Sequence, residues 1–262
     1  MNALPALFPD EDFRFRMTMR RGRPADFFQN WDTTGGLLAQ RRAALHSSPE
    51  QCLRSTPEGD ALLPALLELA AGWNLPKVAD WPGVGTRWEP DVLLLSPDGE
   101  GRYRLRGGAV CFPTGWALDE KIGRTLEEIH GVVPGLNASI GTAIHRLLGN
   151  LTPETAMLRD NWGITATDVL DLHPRHRVPS PRQPVRLEQL WLRVEHQALV
   201  GLPTGAGVVF GIRIALHRLD AIATQPELAR RLGRALASMS DDLADYKGLR
   251  AIGPELCHRL AP

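Results

Sequence analysis

The sequence predicts an α+β fold in which a mainly antiparallel sheet carries helices, and the order of its segments is the main reason. Two strand-like segments, residues 92–95 and 103–112, are joined by a turn at 96–99. Glycines at 107–108 favour a β-bulge in the second strand. Two alternating segments at 190–199 and 207–216 predict a second antiparallel pair.

Helical patterns surround these strands. They predict helices at residues 36–46, 61–73, 118–149, 155–162 and 226–246. Prolines and glycines make the segments 76–90 and 171–184 irregular, the second as a surface loop. We therefore expect three parts: an N-terminal helical segment and linker that packs on the core (1–89), a main sheet domain (90–220) and a C-terminal helical extension (221–262).

Composition excludes several classes of protein. The 262 residues carry 30 basic and 30 acidic side chains, without the positive charge expected of a nucleic-acid binder. No apolar stretch approaches the roughly 20 residues that a membrane span needs. Acidic residues at 10–12 interrupt any signal peptide, which predicts a cytoplasmic protein. Three widely spaced cysteines indicate reduced thiols rather than a disulfide framework.

His130 is the first candidate for a functional residue. A helix through this region places Ile122, Leu126, Ile129 and His130 on one face, with the histidine at the end of an apolar stripe. Gly131 would end that helix in the left-handed conformation. A neutral imidazole on an apolar wall suits a haem iron. Spacing alone nevertheless favours a histidine that only caps or packs the helix.

Two charged strand residues are the next candidates. Arg213 is flanked by isoleucines, so burying it requires an anionic partner, and Glu195 on the preceding strand is a natural one. A plain ion pair and a functional pair are equally consistent with this pattern. Of the remaining candidates, His145 is expected in solvent, while His173, His176, His196 and Cys111 are weaker candidates as ligands than as ordinary structural side chains.

Taken together, several motifs in order resemble the alpha-subunit family of the haem-dependent oxidative N-demethylases. They are CFPTGW (111–116), EKIG (120–123), EEIHGVVPG (127–135), RDNW (159–162), RVEHQ (193–197), LPTGAG (202–207) and VVFGIRI (208–214). The resemblance covers roughly residues 91–216. It implies a PAS-like sheet with helices on one face, plus terminal helices, around a b-type haem.

The resemblance also implies an activity, partners and roles for residues. The activity is removal of a methyl group from a secondary amine with O2, with electrons from NADPH through a separate reductase subunit carrying FMN and an iron–sulfur cluster. His130 would ligate the iron, and Glu195 and Arg213 would be polar groups of the distal pocket. The further cofactor contacts would be Ile122, Leu126, Ile129, Phe112 and Trp162.

The sequence departs from the family pattern at several positions. Val132, His196, Ala198 and Ala215 replace residues usual in the family, and Ala117 replaces a helix-capping aspartate. Two alternatives to an enzyme therefore stay open. One is a PAS-like haem sensor that binds gas or changes redox state without turnover, and the other is a haem-free relative with a filled pocket.

Overall fold

The computed structural model of the protein describes residues 4–261. Its strands are β1 (Arg20–Gly22), β2 (Leu53–Ser55), β3 (Asp91–Pro97), β4 (Tyr103–Ala109), β5 (Ala156–Thr165), β6 (Trp191–Gly201) and β7 (Val208–Arg218). Its helices are α1 (Leu4–Leu7), α2 (Pro24–Phe28), α3 (Gly36–Ser47), α4 (Pro49–Cys52), α5 (Pro57–Ala70), α6 (Trp81–Arg87), α7 (Leu118–Lys121), α8 (Leu126–His130), α9 (Leu136–Leu148), α10 (Leu219–Ala223), α11 (Pro226–Ala237), α12 (Asp241–Tyr246) and α13 (Gly253–Leu260). Short 3-10 segments lie at Leu187–Gln189 and Pro203–Gly205.

Within this range the strands form one antiparallel sheet in the order β1-β5-β6-β7-β3-β4-β2. The predicted α+β class is confirmed. The predicted bulge is also present, because the register between β3 and β4 shifts between Leu94 and Leu95, opposite Gly107 and Leu105. The N-terminal segment is not purely helical, since β1 and β2 add both edge strands to the sheet.

The helix predicted at residues 155–162 is wrong. This segment is β5, which pairs with β1 on one side and with β6 over nine residues, from Met157 to Thr165, on the other. Trp162 and Ile164 point from it into a core that includes the C-terminal helices. Pairing with distant strands therefore outweighs the local helical pattern.

The helix predicted at residues 118–149 is divided into α7, α8 and α9. Gly123 has a left-handed φ of 78°, which ends the first turn and suits a residue without a Cβ. Thr125 then starts α8 with a capping box, in which its side chain and that of Glu128 bond reciprocally to backbone N–H groups. Gly131 does not adopt the left-handed conformation expected of it; Gly135 does, immediately before α9.

Two further secondary-structure predictions need correction, the irregular region at 76–90 and the helix at 226–246. The region 76–90 contains α6, whose first turn is capped by the Asp80 carboxylate accepting from Gly83 N at 2.7 Å. The helix predicted at 226–246 is interrupted between Ala237 and Asp241 and forms α11 and α12.

Side chains of the central strands alternate between two faces of the sheet. We call the face of Glu195, Gln197 and Phe210 the front face, and the face of His196, Ala198 and Arg213 the back face. Helix α9 packs on the front face, as predicted for the central helices. The terminal helices cover the back face: α2, α5 and α6 at one end of the strands, α10 and α11 at the other. In residues 4–261, no helix combines the length and apolarity needed to cross a bilayer.

A buried ion pair connects α3 to the start of β3. Arg41 Nη1 lies 2.6 Å from Asp91 Oδ1, and the arginine is fully buried. The same carboxylate accepts hydrogen bonds from the backbone N–H groups of Cys111 at 2.7 Å and Phe112 at 3.0 Å. Asp91 therefore holds together α3, β3 and the segment after β4.

We expect Asp91→Asn to lower the free energy of unfolding by about 3–5 kcal/mol, because it leaves the buried Arg41 without a counter-charge. Urea denaturation followed by circular dichroism measures this. Asp220→Asn is the matched control, since Asp220 is only half-buried and its ion pair is with the exposed Arg218. Equal effects of the two substitutions would contradict the role given to Asp91.

Candidate functional site

A cavity of about 430 Å³ opens beside the front face, and we call it the His130 cavity. Its size lies within the range of about 300–1,000 Å³ typical of small-molecule sites. The apolar part of the wall combines α9 and the segment before it, β5, β7 and the segment before β1. Its main members are Phe13, Phe15, Val133, Leu136, Ile140, Ile144, Trp162 and Phe210.

His130 is the last residue of α8, and its side chain lines this cavity. Burial lowers the pKa of the imidazole below its ordinary value of about 6.5; the positive charges of Arg159 and Lys121 act in the same direction, whereas Glu127 opposes them. Within residues 4–261, neither ring nitrogen has a hydrogen-bond partner. The ring is therefore neutral near pH 7, with a lone pair free for a ligand.

Polar side chains of β5 and β6 form the opposite wall. Arg159 lies opposite Gln197 in the strand register, and Asn161 lies opposite Glu195. Glu195 is buried behind this wall, where its Oε2 accepts from Gln197 Nε2 at 2.8 Å and from Asn161 Nδ2 at 3.3 Å. Its Oε1 accepts no hydrogen bond from the residues that the structure describes. One oxygen of this carboxylate thus has unused hydrogen-bonding capacity, although Glu195 does not itself line the cavity.

Lys247, just after α12, closes one end of the cavity. Its Nζ donates to the carbonyl of Trp162 at 2.7 Å and lies 5.2 Å from the centre of the indole ring. Burial lowers its pKa to about 8, and the nearby Glu195 carboxylate partly opposes this. The ammonium is therefore easier to deprotonate than that of an ordinary lysine.

These residues fit a haem better than a metal ion held by several side chains. Among residues 4–261, no group of three or more His, Cys, Asp or Glu side chains is arranged to hold a metal ion. A haem needs only one protein ligand to its iron and an apolar space for the porphyrin. His130 and the apolar wall of the cavity supply both.

Comparison with known families agrees with this geometry. Residues 83–257, about two thirds of the chain, match the family model described as haem-dependent oxidative N-demethylase, alpha subunit-like. The chain belongs to this family. The match extends beyond the motifs seen in the sequence and includes His130, Arg159, Glu195 and Lys247.

Of the residues predicted from the sequence, His130 and Trp162 line one cavity. Glu195 does not line it and lies behind its wall, bonded to Asn161. Leu126 and Ile129 lie on α8 and pack against the front-face core, beside the cavity rather than in its wall. Ile122 packs there too, but it follows α7 and does not share a helix with His130. The predicted continuous apolar stripe is therefore wrong.

Arg213 lies on the other side of the sheet, and its predicted pairing with Glu195 is wrong. In the β6–β7 register it faces His196, whereas Glu195 faces Ile214. Arg213 Nη1 instead lies 2.9 Å from Glu89 Oε2, and its guanidinium donates to the carbonyls of residues 27–29. The structure does not place Arg213 near His130.

Phe112 is also separate from the His130 cavity. It packs among Leu45, Cys52 and Cys111, with the Arg41 guanidinium carbon 5.6 Å from its ring centre. Together with Arg213 it lines a second cavity of about 350 Å³. Its predicted contact with the same cofactor as His130 has no support in this geometry.

The other histidines and Cys111 have local partners. His145 is not simply in solvent, since its Nε2 contacts the Glu127 carboxylate. His196 Nδ1 lies 2.7 Å from Asp160, and His176 Nε2 lies 2.9 Å from Asp171.

His173 is buried beside Asp119, although its loop is otherwise largely exposed. Cys111 is buried, and burial beside Cys52 raises the pKa of its thiol.

Sequence reasoning missed Arg159 and Lys247 as cavity residues. Because residues 155–162 were predicted as a helix, Arg159 was not expected to lie on the same sheet face as Glu195. The motif that contains it, RDNW, was nevertheless recognised in the sequence. Lys247 lies just past the predicted C-terminal helix, and no local pattern connects it to β5. Alternation along β5, had it been recognised, would have placed Arg159 and Asn161 on one face.

We expect His130 to titrate below pH 6.5 in NMR spectra of the ligand-free protein, and Arg159→Met to raise its pKa, because the imidazolium then loses a repulsive neighbour. The unfolded chain takes up this proton at higher pH than the folded one, so the stability contribution is present above about pH 6.5 and is lost as the pH falls. His130→Gln assigns the resonance. A midpoint at or above 6.5 in both proteins would refute this assignment of charges.

Proposed function

We propose that this chain binds haem b in the His130 cavity and is the haem-bearing subunit of an enzyme that removes a methyl group oxidatively from a secondary amine. The observation that carries the proposal is the imidazole of His130, which is neutral, without a hydrogen-bond partner in residues 4–261, and on the wall of a largely apolar cavity. In a family described as haem-dependent, this ring is the best candidate for the ligand to iron.

The chain's own residues would hold and shield the cofactor. His130 would give one ring nitrogen to the iron, and Ile140, Ile144 and Phe210 would exclude water from one side of the cavity. Bound haem would supply a redox centre at which the reduction of O2 is coupled to the oxidation of a methyl C–H bond. The overall change consumes an amine, O2, two electrons and two protons, and yields the demethylated amine, formaldehyde and water.

Glu195 would orient the amine. A secondary amine is largely protonated near pH 7, so a carboxylate just behind the cavity wall would attract it and favour one orientation of its N–H bonds. Oε2 is already held by Asn161 and Gln197, which leaves Oε1 to accept a hydrogen bond from the substrate nitrogen. Arg213 has no part in this proposal, because it lies on the back face.

Electrons would come from another subunit. The family description as an alpha subunit implies partner subunits in general. This chain has three cysteines, too few for a cluster held by four thiolates, and two of them are buried. We therefore propose a separate reductase that carries NADPH-derived electrons through FMN and an iron–sulfur centre. A cytoplasmic location, where free thiols persist, is consistent with this.

A PAS-like haem sensor without turnover is the alternative, and its support in the sequence was the set of departures from the family pattern. Val132 is exposed, and His196, Ala198 and Ala215 lie on the back face, so none of these four residues lines the His130 cavity. The departures thus give no reason to expect an altered cavity, and we favour the enzyme. The open cavity also argues against a haem-free relative with a filled pocket.

We expect His130→Gly to weaken haem binding more than the 10–100-fold typical of losing an outer partner of a metal ligand, because the iron loses its protein ligand. Titration with haemin, followed at the Soret band, measures this, and added imidazole should restore the wild-type spectrum. His145→Ala is the matched control, since it removes a histidine of α9 that does not line the cavity. An unchanged affinity of the glycine variant would eliminate both haem hypotheses.

We expect Glu195→Gln to lower the rate of formaldehyde release from dimethylamine by about 10²-fold or more, while haem affinity stays at the wild-type value. The assay supplies the haem-loaded protein with a chemical reductant and O2. Formaldehyde absent from the wild type while its iron is reduced and reoxidised would favour the sensor. Wild-type turnover in the glutamine variant would show that Glu195 does not position the amine.

A further inference from the structure

Arg159, which is half-buried, differs from the buried arginines that the structure describes. Arg41, Arg193 and Arg213 are all buried, and each donates several hydrogen bonds to carbonyl or carboxylate oxygens. Arg159 lies in the wall of the His130 cavity, where burial lowers its pKa, yet it makes no hydrogen bond or ion pair with any of residues 4–261. Arg159 is half-buried, so its guanidinium faces the cavity with no protein partner, and a positive charge in that position favours an anionic ligand.

The nearest carboxylates do not neutralise Arg159. Glu195 and Asp160 act on it only through their charge, without direct contact. Glu195 is already bonded to Gln197 and Asn161, while Asp160 is paired with Arg20 and His196. The five N–H groups of the Arg159 guanidinium therefore donate no hydrogen bond to the described residues and are available to a ligand in the cavity.

The interior of the cavity also has an excess of positive charge. Five cations line it (Arg14, Arg16, Arg20, Arg159 and Lys247) against three carboxylates (Glu11, Asp12 and Asp160). Asp160 is paired with Arg20 and His196, and Asp12 is paired with Arg234. At the rim, Glu11 is paired with Arg14 and Arg16, so it adds no free negative charge. A ligand that fills the cavity is therefore favoured if it brings an anionic group to Arg159.

We propose that Arg159 binds a carboxylate of the ligand that occupies the His130 cavity. A guanidinium fork matches the two oxygens of a carboxylate, which gives both strength and orientation. The group has two possible sources with the same chemistry: a propionate side chain of haem, or a carboxylate on the amine substrate, as in an N-methyl amino acid. This proposal deepens the proposed function and rests on it for the identity of the cavity's ligand.

Two binding measurements on wild type, Arg159→Ala and Arg159→Lys test the proposal. The first compares the affinities of haemin and haemin dimethyl ester, whose propionates are blocked, by Soret titration. The second compares sarcosine, which has a carboxylate, with dimethylamine, which does not, by calorimetry on the haem-free protein. Arg21→Ala is the matched control, because Arg21 is exposed on β1 and does not line the cavity.

A propionate contact predicts at least tenfold weaker haemin binding in Arg159→Ala, with little change for the ester. A substrate carboxylate predicts the same loss for sarcosine alone. Lysine keeps the charge but not the fork, so it should restore affinity only partly. Either pattern supports the proposal.

The result that would overturn the proposal is that neither haemin nor sarcosine binding depends on Arg159 more than on Arg21, including the case where neither probe binds. If the wild type fails to bind haemin but its sarcosine affinity depends on Arg159, the proposed haem function fails and the carboxylate site stands. Thermal unfolding of the ligand-free protein adds a separate check. Removing an unpartnered cation should not lower the Tm, whereas a structural arginine would lower it in the alanine variant.

Discussion

The antiparallel register of β5, β6 and β7 is the constraint on which the candidate site depends. Successive side chains on a strand point to opposite faces, so one register decides which charged groups meet. It places Arg159, Glu195 and Gln197 on the front face below α8 and α9, and Asp160, His196 and Arg213 on the back face. A shift of one residue would exchange these two sets and remove both the carboxylate and the free guanidinium from the side of His130.

The same division separates two uses of buried charge. On the back face, Arg213 holds the carbonyls after α2 and the Glu89 carboxylate, and Glu89 in turn accepts from the backbone N–H groups of Trp31 and Asp32. Every partner there is part of the chain, so the charges fix the path of the N-terminal segment. On the front face, Arg159 and the Oε1 atom of Glu195 have no partner in residues 4–261. Unmet hydrogen-bonding capacity beside a cavity is a mark of a binding site rather than of packing.

The sequence was sufficient for the strands whose pattern is local. Alternation identified β6 and β7 and predicted the face of its own strand on which Glu195 and Arg213 each lie, and the pattern around His130 singled out a histidine that lines a cavity. It failed where the deciding contact is distant. The helical pattern of residues 155–162 is overruled by ladders to β1 and β6, and the capping box at Thr125 with the left-handed Gly123 breaks a helix that hydrophobic spacing alone would continue.

By itself, then, the sequence determined the α+β class and the family and made His130 a candidate, because these depend on short segments and on the order in which they follow one another. Only the tertiary structure decided which side chains share the cavity. It separated Arg213 and Phe112 from His130 and brought in Arg159 and Lys247, since strand register and the docking of α12 depend on contacts between residues far apart in the chain. The N–H and C=O groups that form the hydrogen bonds between strands are the same at every residue. Local residue identity therefore does not specify which residues pair.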